Sequence, residues 1–243
     1  MIKFNIFNQE YIIDNTSIET VCLFGSSARG DYDLTSDIDL FIIIGDCDED
    51  SYVNTKKQLA LILKMPIDWI SLYRKSTVLQ MHDLGSYFLW HLKKEGTILF
   101  SRTNFIDELL SVLPPYTRIK GDLLEYLEIC KDIRHSISVD TTTIDYELAV
   151  LASLMRNTCI TLCYIYGKFL FGRVSPVQAT QEIIGMSFIT FTIEEYEVLY
   201  SYRLARVRKQ IKPRIKSTVE MVKFWLDQVE YLIDYCLKKE ERL

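Results

Sequence analysis

The chain has 243 residues, 49% of them apolar, and a formal net charge of −5. Its mean hydropathy of +0.06 and its apolar content exclude intrinsic disorder, and the acidic balance excludes a generic nucleic-acid binder. No apolar run reaches the roughly 18 residues of a membrane span. The N-terminus Met1-Ile2-Lys3 lacks the regions of a signal peptide, so a cytoplasmic protein of one large or two modest domains is expected.

In chain order, residues 2–7 and 10–13 read as extended segments. Residues 21–24 form a strand candidate that stops at Gly25. The apolar run 39–44 predicts a strand buried on both sides. A polar turn, 45–50, leads to a helix over 52–64. Pro66 then opens a third strand over 67–72, rich in β-branched and aromatic residues. Residues 76–95 predict a helix broken near Gly85, and 97–100 a short edge strand. This alternation indicates an α/β (α+β) sheet domain.

Pro114-Pro115 marks a boundary, beyond which the pattern is helical. Leu148, Leu151, Met155, Leu162 and Tyr166 recur at helical spacing, as do Val222, Trp225, Val229, Leu232 and Cys236, so each set predicts the apolar face of one helix in a bundle. The six cysteines are scattered without a Cys-x-x-Cys and read as small core residues. Three histidines do not supply a zinc cluster. Residues 203–216 carry seven basic side chains and no acidic one. They read either as a solvated face or as a phosphate- or RNA-contacting edge.

The chemistry concentrates in residues 25–40. Gly25-Ser26 follows a strand, and a turn there can aim backbone N–H groups and a hydroxyl at a phosphate. Asp37 and Asp39 lead straight into the buried strand, and alternation sends them to one face while Ile38 points into packing. Two carboxylates on one face repel unless a cation lies between them, and Mg²⁺ is held by one or two carboxylates plus substrate phosphates. Neither a Walker-type loop nor Gly-x-Gly-x-x-Gly is present, which disfavours a P-loop ATPase or a dinucleotide-binding dehydrogenase. Asp68 lies inside the third predicted strand, where an unpaired carboxylate is costly. It reads as solvated, as paired with Arg74 or Lys64, or as a third ligand beside Asp37 and Asp39.

Gly25-Ser26, Ala28-Arg29-Gly30 and Ser36-Asp37-Ile38-Asp39-Leu40 together resemble the signature of the DNA polymerase β-like nucleotidyltransferase superfamily. Within it they resemble the bacterial minimal nucleotidyltransferases, whose members include aminoglycoside-modifying enzymes and nucleotidylating antitoxins. The resemblance covers roughly residues 20–102. It implies a catalytic domain over 1–113 with a short mixed sheet, followed by an all-helical bundle domain over 114–243. It implies an enzyme that uses two Mg²⁺ ions to transfer NMP from an NTP such as ATP to an acceptor hydroxyl, releasing pyrophosphate. Asp37, Asp39 and Asp68 are then metal ligands and catalytic residues, and Gly25, Ser26, Arg29 and Ser36 contact the nucleotide. Arg29 has a second reading, an ion pair to Asp31 or Asp33 that fixes the loop.

The acceptor expected is a small, antibiotic-like molecule; the alternatives are a protein or RNA, as for an antitoxin, or a non-catalytic nucleotide-binding regulator. A homodimer is allowed and a membrane partner is not. Some helical partners in this group are RNases with an Arg followed after a short gap by His. Arg156 lacks that His, so RNase activity is not expected.

Overall fold

The computed structural model describes residues 1–6, 9–32, 38–185, 189–207 and 212–241. The chain divides into two compact units, Met1–Thr117 and Arg118–Leu243.

The first unit opens with a hairpin, β1 (Ile2–Ile6) and β2 (Gln9–Ile13), paired antiparallel. Its main sheet has four strands in the order β5-β4-β3-β6. These are β3 (Ile18–Phe24), β4 (Asp39–Ile44), β5 (Ile70–Arg74) and β6 (Thr97–Ser101). Strand β3 runs antiparallel to both β4 and β6, whereas β4 and β5 are parallel. A parallel pair needs a crossover connection, supplied here by α2 (Glu49–Leu63). The Asp48 side chain caps α2 by accepting a bond from Ser51 N at 2.8 Å.

The continuous apolar run of β4 is explained by packing on both faces. Leu40, Ile42 and Ile44 join one core with Leu59, Leu63, Ile70, Leu72 and the apolar side of the β1–β2 hairpin. Phe41 and Ile43 join another with Val78, Leu89, Leu92, Ile106 and Leu109. That second layer is built by α3 (Lys75–Asp83), α4 (Tyr87–Glu95) and α5 (Phe105–Ser111). Gly85 separates α3 from α4 in a left-handed conformation, φ +62°, and a Cβ there would collide with the Pro114 and Pro115 carbonyls.

One predicted element differs. The third strand begins at Ile70, and Ile67–Trp69 instead form a single 3₁₀ turn after Pro66. Pro66 has no N–H to give a ladder, and the Trp69 N–H is used locally, donating to the Pro66 carbonyl at 3.0 Å. Asp68 therefore stands at the entrance to β5 rather than within it.

The second unit is helical: α6 (Ile119–Val139), α7 (Ile144–Ile165), α8 (Ser175–Ile184), α9 (Ile193–Val207) and α10 (Val219–Glu240). Helix α7 packs against the other four. Among the described residues, α7 is the one helix long and apolar enough to cross a membrane by composition, and 67% of its apolar window is buried. This corrects the expectation that no run is long enough, and the burial explains the composition: a helix surrounded by others is apolar on all sides. Of the residues expected on the two apolar faces, all are buried except Tyr166. Tyr166 caps α7, and its hydroxyl lies 3.4 Å from that of Tyr235. Five cysteines are buried and Cys47 is half-buried, all six as free thiols.

Candidate active site

Strand pairing brings several of the chemical residues to one end of the main sheet. The last residue of β3, Phe24, is the cross-strand partner of Asp39, the first residue of β4. Strand β5 starts beside β4, with Ile70 opposite Leu40, so Asp68 lies just before the same end. Strand β6 starts there too, with Thr97 opposite Leu23, which brings the C-terminus of α4 to this end.

The turn after β3 is a five-residue helix, α1 (Gly25–Arg29), closed by Gly30 in the left-handed region at φ +80°. The Gly30 N–H donates to the Ser26 carbonyl at 2.9 Å. Gly25 has φ +70°, and a Cβ placed on it would overlap Asp39 Oδ2. Glycine is required twice over at this position, by the backbone angle and by the approach of a carboxylate to the main chain. Asp39 is half-buried, Ser26 is half-buried at the start of the turn, and Asp68 is exposed. By alternation Asp39 shares a face with Phe41 and Ile43, the face covered by α4.

Asp37 and Ser36, and Asp33 as a partner for Arg29, lie outside the described residues. Arg74, one partner considered for Asp68, is engaged elsewhere: its Nη2 donates to Glu49 at 2.7 Å and its guanidinium lies 4.5 Å from the Tyr52 ring.

Arg29 makes the ion pair foreseen with Asp31, Nε to Oδ2 at 3.2 Å, and a second one that sequence reading missed. Its Nη1 donates to Glu95 Oε2 at 2.7 Å, and His91 Nε2 lies 2.9 Å from the same oxygen. Burial works against the charge of Arg29, but its hydrogen bonds to Glu95 and then Asp31 raise its pKa above the ordinary value. Burial likewise opposes the charge of Glu95, and the bonds from His91 and Arg29 outweigh it and lower that pKa. The sequence signal for this cluster is the His91–Glu95 pair at i,i+4 on a predicted helix. Nothing local links it to Arg29, 66 residues away from Glu95.

The basic run divides between α9 and the segment after it, with 208–211 outside the described residues. Arg203 donates to the Tyr200 hydroxyl at 3.2 Å, Arg206 lies 4.2 Å from the Tyr146 ring centroid, and Arg214 pairs with Glu197 at 3.2 Å. Arg156 donates to the Gly172 carbonyl at 3.1 Å and to the Phe171 carbonyl, which ties a loop to α7.

The fold of the first unit agrees with comparison to known families. Residues 8–105 match the model of the polymerase beta, nucleotidyltransferase family. That segment is a nucleotidyltransferase domain of the polymerase β type. The matched span runs over the Gly25 turn, Asp39, Asp68, His91 and Glu95. No curated protein sequence matches the chain significantly. Among solved structures the chain is similar to spectinomycin adenyltransferase AAD(9) from Enterococcus faecialis, determined with ATP and spectinomycin. The two share 16% identity and a TM-score of 0.48, over 90% of this chain and 93% of that one.

Proposed function

We propose that the chain is a Mg²⁺-dependent, cytoplasmic nucleotidyltransferase that moves NMP from an NTP such as ATP to the hydroxyl of a small, antibiotic-like molecule. The observation that carries this reading is the contact between the Gly25 turn and Asp39. The Gly25 main-chain turn and the Asp39 carboxylate share one place, and Asp68 stands at the same sheet end. Carboxylate oxygens are what Mg²⁺ takes, and the missing Cβ of Gly25 leaves the Asp39 carboxylate its room, while among the described residues no group of three possible ligands is gathered.

In this proposal Asp37, Asp39 and Asp68 would hold two Mg²⁺ ions, which when bound would offset charge on the attacking and leaving oxygens of an in-line displacement. The Gly25 main chain and the Ser26 hydroxyl would hold the β and γ phosphates, with Ser36 at the nucleotide. Asp68, exposed and therefore open to an acceptor, would accept the proton of the attacking hydroxyl. The oxygen of that hydroxyl bonds to the α-phosphorus as the bond to the β-phosphate oxygen breaks, and pyrophosphate leaves. The motif's resemblance to aminoglycoside-modifying members supports the choice of a small acceptor.

The test is pyrophosphate release with each of the four NTPs and Mg²⁺ over a panel of aminocyclitol and aminoglycoside acceptors, with mass spectrometry for a product heavier by one NMP. Release that depends on one acceptor, and that is lost in Asp37→Ala and Asp39→Ala, is the expected result. Release that survives both substitutions would overturn the assignment.

A further inference from the structure

Helix α1 cannot hold its own position. It spans five residues, and a single turn of helix is far below the length at which an isolated helix is stable. Its placement against Asp39 must come from what it packs on. The residue before it and its last residue both rest on α4. At the entry, the Phe24 ring meets Phe88 edge-on at 5.2 Å and His91 edge-on at 5.5 Å. At the exit, Arg29 donates to Glu95 at 2.7 Å. Phe88, His91 and Glu95 are spaced by three and four, so they form one stripe on α4. His91 touches both anchors, the Phe24 ring and the Glu95 carboxylate. The Arg29–Glu95 pair is also well shielded, with side-chain exposures of 23% and 13%, so solvent screening weakens it less than a surface pair.

We infer that Glu95 is a positioning residue for nucleotidyl transfer, holding α1 through Arg29 so that the Gly25 turn stays against Asp39. Arg29 is then a structural link between α1 and α4 rather than a ligand of the phosphates. The inference deepens the proposed nucleotidyltransferase reading and rests on it for its catalytic consequence. Its structural half stands separately.

The experiment uses the full chain in two parts. Hydrogen exchange compares wild type with Glu95→Ala and with the milder Glu95→Gln. The expected result is faster exchange of the amides of 26–30, including the Gly30 amide bonded to the Ser26 carbonyl, with the β4 amides unchanged. Unaltered exchange over 26–30 in both variants would overturn the inference whether or not the enzyme reading holds.

Steady-state kinetics then compares Arg29→Ala, Glu95→Ala and the double variant. A misplaced turn is expected to lower kcat by about 10- to 100-fold. KM for the acceptor should stay unchanged, and the double variant should be no worse than either single one. If Arg29→Ala raises KM for the NTP while Glu95→Ala leaves both constants untouched, Arg29 is a phosphate ligand and the positioning role is wrong. Wild-type protein without turnover on any acceptor would count against the nucleotidyltransferase reading, while the exchange measurement would still decide the link between α1 and α4.

Discussion

The Asp39 carboxylate occupies the space that a side chain on Gly25 would fill, and Gly25 holds φ +70° where an L side chain is strained. Gly25→Ala therefore meets two obstacles at once. It should cost about 1 kcal/mol or more of stability from the backbone angle alone. Displacement of the carboxylate should also lower transfer by about 100-fold. Chemical denaturation and pyrophosphate release measure the two effects separately, and activity near wild type would show that the close approach is unimportant for the reaction.

Asp39→Asn and Asp68→Asn test two of the three carboxylates of the proposed mechanism. Asp39→Asn should abolish Mg²⁺-dependent transfer with the melting temperature kept, since Asn preserves size and polarity at a half-buried position. Asp68→Asn removes a metal ligand together with a proton acceptor and should lower kcat by at least about 10²- to 10⁴-fold. Equilibrium binding of NTP to both variants shows whether the loss lies in binding or in the chemical step.

The lowered pKa of Glu95 makes a prediction about acid stability. A carboxyl whose folded-state pKa lies below its ordinary 4.5 contributes stability that is fully present above that value. The contribution is lost as pH falls through the folded pKa. The difference in unfolding free energy between wild type and Glu95→Gln should shrink as pH falls below 4.5. Urea titrations at stepped pH measure it. A difference that stays level to pH 3 would show that Glu95 is not held by His91 and Arg29 in solution.

The cysteines should differ sharply in reactivity. Burial pushes the thiols of Cys22, Cys130 and Cys159 up to about 12 and that of Cys163 to about 11, and raises Cys236 as well. The thiolate is the nucleophile, so at pH 8 these groups are protonated as well as enclosed. A thiol reagent should label half-buried Cys47 first and reach the other five only on unfolding.

In the helical unit, Trp225 is 3% exposed and its ring lies 4.9 Å from that of Phe191 and 5.3 Å from that of Phe224. Trp225→Ala should destabilise that unit by about 3–5 kcal/mol, read as a lower denaturation midpoint by circular dichroism. A shift of only a few tenths would mean that the neighbours collapse into the space.

Strands β3, β4 and β6 and the two apolar helix faces were readable in the sequence because each follows from a local pattern of side chains. The start of β5 was not. Ile67-Asp68-Trp69 has strand-like composition, but Pro66 and a local hydrogen bond turn it into a 3₁₀ turn. The glycine turn after β3 was legible because Gly25 holds a φ that other residues avoid. The Glu95 and His91 contacts to Arg29 and Phe24 were not, because they depend on how α4 is laid across the sheet. No spacing rule encodes a contact across that distance.

The two-sided burial of β4 has a consequence for how the strand finds its alignment. Every residue from Leu40 to Ile44 is fully enclosed, so sliding the strand by one position would exchange one large apolar side chain for another on both faces. The usual guard against such slippage, one oily side and one wet side, is missing. What remains are the ends. A slip in one direction would drag the Asp39 carboxylate into the place of Leu40, among hydrocarbon, at a heavy desolvation cost. At the other end Asp46 accepts bonds from the Ser76 amide and hydroxyl at 3.0 and 2.6 Å and resists the same displacement. The carboxylate proposed as a metal ligand thus also acts as a stop that indexes the central strand.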